Sequence, residues 1–332
     1  MADYNSVLAA EIESYLELKK AVFRPSTIAH EKGHLRHFDQ YLCNVRCEDK
    51  TISEQIMTGW QRTITGKTIT ISHKVKTIQR LTEYLNMIGI AAYIPTIPLV
   101  RSDYVAYIFS DEEVKEIIAL ADLMRPMPQE KPDYKDALLY MPMILRILFG
   151  CGTRLGETIT LKMKNVDLDS GALILTETKR NKQRIVPMHV SLTAIISQYC
   201  YARGIIGNPD CYLFGIQSTD GTEKPIPERR VQLRFSRILS TLGIGPAERK
   251  WHERGPCLHC CRHSFAIKSF SIAEKNGRKL DDAVPYLSIY LGHENLNETQ
   301  KYLKFSSEMY PEALQQFSAY TNNIFPEVNY EV

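Results

Sequence analysis

The sequence predicts a mainly α-helical protein with a small antiparallel β-sheet, divided into two domains. Three observations predict it. Apolar residues recur at helical spacing through most of the chain, whereas only one stretch, Leu173-Ile174-Leu175 followed by Ile185-Val186 across a polar turn, reads as a hairpin. The length of 332 residues also exceeds what one hydrophobic core usually sustains, roughly 250 to 300 residues.

In the first hundred residues, Leu8, Ile12, Tyr15 and Leu16 mark one helix, and Ile28, Leu35, Phe38 and Leu42 mark a second after the Pro25-Ser26 start signal. Val75, Ile78, Leu81, Leu85 and Ile88 mark a third, with Ser72 as its expected N-cap and Lys74, Lys76 and Arg80 on its other positions. These make an all-helical domain over 1–98 with basic edges. The stretch Tyr93 to Tyr107 has Pro95 and Pro98 and no sustained period, so a linker is set at 99–108. Ser110-Asp111-Glu112-Glu113 is a capping box that opens the first helix of a second domain, 109–305. An apolar helix from about Ala137 to Phe149 stops at Gly150. After the hairpin, from Ser191 onward, the pattern is mostly helical periodicity, broken at Gly204, Gly221, Gly255, Gly277 and Gly292. The remainder, 306–332, is a tail.

Hydrophobic residues at 44% and charged residues at 24% are ordinary for a globular protein and argue against wholesale disorder. No apolar run approaches the ~20 residues of a spanning helix, and the N-terminus lacks a basic-then-apolar leader, so no membrane association and a cytoplasmic location are expected. The eight cysteines are then read as reduced thiols. Cys257-x-x-Cys260 with His252, His259, Cys261 and His263 around it raises a zinc site, but the second half of a zinc ligand set is missing, and no metal is expected. The net charge of +3 says little; its distribution says more. Between Lys224 and Lys268 ten Lys/Arg face three Glu, whereas Ser306 to Val332 holds four Glu and no Lys or Arg. Such a basic block, which includes Arg229, Arg230 and Arg234, can follow DNA phosphates; an acidic tail cannot.

The residues with reactive chemistry cluster in short boxes. Gly150-Cys151-Gly152-Thr153-Arg154-Leu155-Gly156-Glu157 carries one arginine, and Leu258-His259-Cys260-Cys261-Arg262-His263 carries another. Guanidinium groups stay charged and offer paired donors that match two phosphate oxygens. His259 and Arg262, spaced i and i+3, share a helix face, while His263 is expected to point away from it. Leu291-Gly292-His293 and then Thr299 and Tyr302 follow, the tyrosine nine residues after the histidine. A histidine, an arginine, a second histidine and a tyrosine in this order suit nucleophilic attack on a phosphodiester.

Together the boxes resemble the tyrosine recombinase (phage integrase) family. The turn Thr178-Lys179-Arg180-Asn181-Lys182-Gln183-Arg184, leading into Ile185-Val186-Pro187, is similar to that family's Lys-x-x-Lys-x-Arg-x-x-Pro hairpin. Departures are Gly156 in place of a small hydroxyl residue, Asn165 where Asp is common, and Lys304 two residues after the tyrosine where His is common. The resemblance implies a helical core-binding domain and a mixed α/β catalytic domain closing around duplex DNA. It implies Tyr302 as nucleophile, with Tyr290 and Tyr310 as alternatives, and Arg154, Lys179, His259, Arg262 and His293 as its catalytic partners. Glu157 orients neighbouring groups, and Lys182 contacts DNA, joined as DNA-binding candidates by Arg184, Arg229, Arg230, Arg234, Lys74, Lys76 and Arg80. No cofactor is implied. The implied partners are duplex DNA with inverted-repeat core sites and a homotetramer on two such sites, with the tail docking on a neighbouring protomer. Helical patterning begins by Leu8, leaving no room for an arm-binding domain, which favours a compact Xer-like, integron-like or transposon-encoded enzyme over a large phage integrase with arm sites. A type IB topoisomerase and a catalytically silent DNA-binding regulator of the same fold stand as alternatives.

Overall fold

The computed structural model describes the chain apart from residues 1–3, 24, 101–105, 125–135, 177–182, 219, 246–254, 294–295, 297, 300–301 and 303–332, and apart from the side chains of residues 26, 136–138 and 280. Two compact units divide it, Met1–Tyr104 and Val105–Val332.

The first unit is helical: α1 (Ala9–Lys20), α2 (Pro25–Asn44), α3 (Glu54–Thr63) and α4 (Thr68–Met87). The apolar stripes meet in one core of Leu8, Ile12, Leu35, Phe38, Leu42, Val75, Ile78, Leu81 and Leu85. Helix α3 was not legible in the periodicity, because its ten residues bury only Met57 and Trp60. Its start has a local cause, since the Ser53 hydroxyl accepts the Ile56 N–H. Two sequence expectations fail at the ends of α4. Ser72 is not the cap but lies a turn inside the helix, because Ile71 packs on the same core and carries the amphipathic face back to Thr68. Ile88 is exposed rather than buried, because the helix stops at Met87 and Gly89 turns the chain with φ +88°.

The second unit begins before the expected end of the linker. Ala106 and Phe109 are buried, and the Phe109 N–H donates to Ser264 Oγ at 2.8 Å. The capping box at Ser110 and Glu113 opens α5 (Asp111–Leu123) as expected. Helix α6 (Asp136–Cys151) is central: Ile144, Leu145, Ile147 and Leu148 are all buried, and the helix packs against α5 and α10 (Leu258–Lys275). A short α7 (Leu155–Ile159) leads to a three-stranded antiparallel sheet in the order β1-β2-β3, made of β1 (Val166–Asp167), β2 (Ala172–Leu175) and β3 (Arg184–Pro187). The expected hairpin is β2 and β3, with Leu173 opposite Val186 and Leu175 opposite Arg184. Strand β1 has only two residues, too few for a visible alternation.

Helices α8 (Val190–Ala202), α9 (Glu228–Thr241) and α11 (Leu280–Leu291) follow, and the region after Ser191 is not wholly helical. A second hairpin, β4 (Gly215–Gln217) with β5 (Glu223–Pro225), interrupts it. Its polar three-residue strands carry no hydrophobic period; Gly221, at φ +77°, makes the turn between them. A separate satellite core under α10 and α11 collects Ala266, Ile267, Phe270, Val284, Leu287, Leu291 and Tyr302. No helix among the described residues is long and apolar enough to cross a membrane.

Candidate active site

The first box is held by a glycine. Gly152 sits at φ +60°, and a Cβ there would lie 2.3 Å from the Phe265 ring of α10, so only glycine lets the chain turn this close to that helix. The turn leaves Arg154 in extended backbone as the N-cap of α7. Glu157, three residues on, folds back over it. Its Oε2 accepts the Arg154 N–H at 2.9 Å and its Oε1 accepts Arg154 Nη1 at 2.9 Å. The same carboxylate receives Arg184 from β3, Nη1 to Oε1 at 3.0 Å and Nη2 to Oε2 at 2.7 Å. Burial pushes the Glu157 carboxyl up, but the hydrogen bonds and charges of Arg184 and Arg154 outweigh it and hold the group at about 2.

Arg262 joins three helices. Its guanidinium is fully buried, and it donates to the Gly152 carbonyl at 2.8 Å and to the Leu291 carbonyl at 2.6 Å, bridging the ends of α6 and α11 from within α10. Burial and the nearby Arg154 lower its pKa to about 10, so it remains charged at neutral pH. At the C-terminus of α11, Gly292 takes the left-handed conformation, φ 67° and ψ 46°, and the His293 N–H returns to the Ser288 carbonyl at 2.9 Å. This cap aims the His293 ring back at the cluster, where Thr299 Oγ1 fixes its Nδ1 at 2.6 Å. Desolvation and then the charges of Arg262, Arg154 and Arg184 lower His293 to about 3. His259, on the first turn of α10 between the buried Leu258 and Cys260, is also lowered, by desolvation of its ring and then by Arg262 and Arg154. Both imidazoles are therefore neutral at pH 7 in the free protein.

Tyr302 is only 4% exposed. Its ring stacks on His293, centroids 5.9 Å apart, and meets His263 edge-on at 5.2 Å. Burial raises its pKa, and the charges of Arg262 and Arg154 pull in the opposite direction. The structure thus brings Arg154, Arg262, His293 and Tyr302 to one place, with His259 at its edge. Lys179 and Lys182 lie outside the described residues, as do Tyr310 and the tail.

Three expectations need correction. His263 does not point away: at i+4 from His259 its ring packs on His259 at 4.7 Å, a contact that helical spacing alone signals, and it also packs on Tyr302, which only the tertiary structure brings there. Arg184, expected among the DNA contacts, turns inward: both terminal nitrogens are committed to Glu157 and the side chain is 10% exposed. Arg234 is buried on the core face of α9 beside Val231, Phe235 and Ile238. Arg229 and Lys76 are exposed, Arg230 and Lys74 are half-buried, and Arg80 pairs with Glu31 at 3.3 Å. Tyr290 is turned to another task, stacked on Phe265 at 5.4 Å. Thr299, three residues before Tyr302 in the sequence, anchors His293.

Cys257 and Cys260 have their sulfurs 3.6 Å apart at the start of α10. Among the described residues no group of three or more His, Cys, Asp or Glu side chains is arranged to hold a metal ion.

Comparison with known proteins places these features in a family. Residues 109–309 match the phage integrase family. The y4rB protein of Sinorhizobium fredii is 31% identical over 224 residues, 63% of this chain and 65% of its own length. Tyrosine recombinase XerA of Pyrococcus horikoshii is 26% identical over 207 residues, 62% of this chain and 60% of its own length. The matched region therefore spans less than two thirds of these relatives. Among solved structures, the XerH site-specific recombinase bound to palindromic difH substrate superposes with a TM-score of 0.64 at 19% identity, covering 88% of this chain and 80% of that one. A lambda integrase dimer bound to a COC′ core site gives 0.62 at 14% identity, covering 90% and 78%. These likenesses show the same fold, and with the family match over more than half of its length, this chain belongs to the phage integrase family.

Proposed function

We propose that this protein is a tyrosine site-specific DNA recombinase, cutting and rejoining duplex DNA through a 3′-phosphotyrosyl intermediate. The observation that carries the proposal is the convergence of Tyr302 with Arg154 and Arg262, two permanent cations, beside two neutral imidazoles. Tyr302 Oη attacks the phosphorus, the bond to the 5′ oxygen breaks, and the phosphate becomes esterified to the tyrosine. Arg154 and Arg262 stabilise the charge on the non-bridging oxygens as it develops. His259, held neutral, accepts the phenolic proton, and His293 adds a donor to the phosphate. Lys179 protonates the departing 5′ oxygen. In rejoining, a 5′ hydroxyl of the partner strand attacks the phosphotyrosine and the protons return. The chemistry conserves bond energy, so it needs neither a nucleotide nor a metal cofactor.

The relatives and structural neighbours support duplex DNA as the partner, since solved neighbours include recombinases bound to DNA. Inverted-repeat core sites, a homotetramer on two of them, a role in a mobile element and a cytoplasmic location complete the reading. The acidic tail 306–332 is assigned to docking on an adjacent protomer, because four Glu with no cation cannot grip phosphates.

Incubation with nicked suicide duplexes, selected from a random-sequence library by retention on the wild-type chain, tests the activity. A covalent adduct that maps to Tyr302, and is lost in Tyr302→Phe while duplex binding persists, is the expected result. An adduct at Tyr290 or Tyr310 overturns the assignment. Sedimentation on DNA of a chain ending at Ser306 tests the tail: single-site cleavage is expected to survive and the tetramer to be lost.

A further inference from the structure

Arg184 was expected among the DNA contacts, but it is the least exposed of the three groups that form the Arg154–Glu157–Arg184 bridge after the carboxylate itself. Its side chain is 10% exposed, that of Glu157 5%, and that of Arg154 32%. Both oxygens of Glu157 are shared. Oε1 takes Nη1 of Arg154 and Nη1 of Arg184, and Oε2 takes the Arg154 backbone N–H and Nη2 of Arg184.

The sharing has an electrostatic consequence. A lone Glu157 would cancel the charge of Arg154 and draw its guanidinium down onto the carboxylate. With Arg184 supplying a second cation in bidentate geometry, the trio keeps one net positive charge, and Arg154 spends a single terminal nitrogen on the carboxylate. Arg184 also reaches a third segment. A Cβ on Gly292 would lie 2.9 Å from Arg184 Nη1 and 3.2 Å from its Cδ and Cζ, so the glycine before His293 leaves the space that this guanidinium fills. One side chain on β3 thereby joins the turn carrying Arg154, the β2-β3 hairpin and the cap that aims His293.

We infer that Arg184 is a positioning residue: through Glu157 it sets the Arg154 guanidinium toward the scissile phosphate, and it makes no DNA contact of its own. The inference rests on the recombinase reading for the identity of the phosphate, but the geometry of Arg154 is measurable without it.

Arg184→Lys is the discriminating variant, because lysine keeps the charge but cannot bridge two carboxylate oxygens. On the library-selected suicide duplex its adduct is expected to form at least about tenfold more slowly. On a mixed-sequence duplex, the slope of log affinity against log salt is expected to stay unchanged in Arg184→Lys and Arg184→Gln, whereas loss of a phosphate contact lowers it by about 0.9. The pair Glu157→Gln with Arg184→Gln replaces the ion pair by amides and guards against a variant that fails to fold. In a double-mutant cycle it is expected to be no slower than the slower single variant. Full-rate cleavage by Arg184→Lys, multiplicative losses in the cycle or a reduced salt slope would each overturn the inference. If the wild-type chain forms no adduct on any duplex, the recombinase reading fails by itself. The inference is then decided by the Nη proton resonances of Arg154 in the free chain, expected to be slow to exchange in the wild type and fast in Arg184→Lys. Unchanged resonances would overturn it.

Discussion

Arg184 and Glu157 lie 27 residues apart in sequence and form a bidentate ion pair at 3.0 and 2.7 Å, with both side chains almost entirely withdrawn from water. Removing Glu157 leaves the buried Arg184 guanidinium without its counter-charge, which is costly, and removing Arg184 leaves the carboxylate to Arg154 alone. The pair thus makes the first arginine box dependent on a strand that does not touch it in sequence.

A dependence of stability on acid follows. The folded Glu157 carboxyl is held at about 2 against an ordinary value of 4.5. Its contribution is complete above pH 4.5 and is lost as pH falls from there through 2, since the unfolded chain binds the proton first. The full contribution is on the order of 3 kcal/mol. Urea unfolding of the wild type is expected to lose stability over this window more steeply than that of Glu157→Gln; parallel curves would remove the carboxylate from the account.

His293 is expected to show no titration between pH 8 and 5 in the free chain. Its folded pKa is about 3, so the folded state stays neutral while the unfolded state protonates below 6.5; stability is lost as pH falls from 6.5 toward 3. The Cε1 proton shift of His293, followed by NMR, checks this. A midpoint near 6.5 would mean that the ring is solvated and not held beside the arginines.

Gly152→Ala combines a left-handed backbone with a Cβ 2.3 Å from the Phe265 ring. A loss of about 2 to 4 kcal/mol is expected from the two effects together. Because the Gly152 carbonyl receives Arg262, adduct formation is expected to fall even under conditions where the variant remains folded. Chemical denaturation and the suicide-duplex reaction, measured on the same preparation, separate the two losses.

Lys179→Ala is expected to regain activity on a duplex with a bridging 5′-phosphorothiolate, whose thiolate leaves without a proton. Variants at Arg154, Arg262 and His259 are expected to gain much less, because they act on other atoms of the phosphate. Equal slowness of Lys179→Ala on both substrates would move the proton donor to Lys182.

The sequence by itself determined most of the helices, the main hairpin, the capping box at Ser110 and the order of the reactive boxes. Each of these is a local property: apolar spacing, a capping residue or a glycine at a turn is written into neighbouring residues. It did not determine α3 or the β4-β5 hairpin, whose few buried positions leave no period to read. Nor did it determine how the site is assembled. Arg262 reaches a carbonyl 110 residues away, Arg184 turns inward to Glu157 and not outward to DNA, and His263 packs on the proposed nucleophile. Those outcomes were decided by the tertiary structure, because the direction of a charged side chain depends on which opposite charge or carbonyl the fold brings within about 3 Å, and spacing along the chain carries no record of that distance.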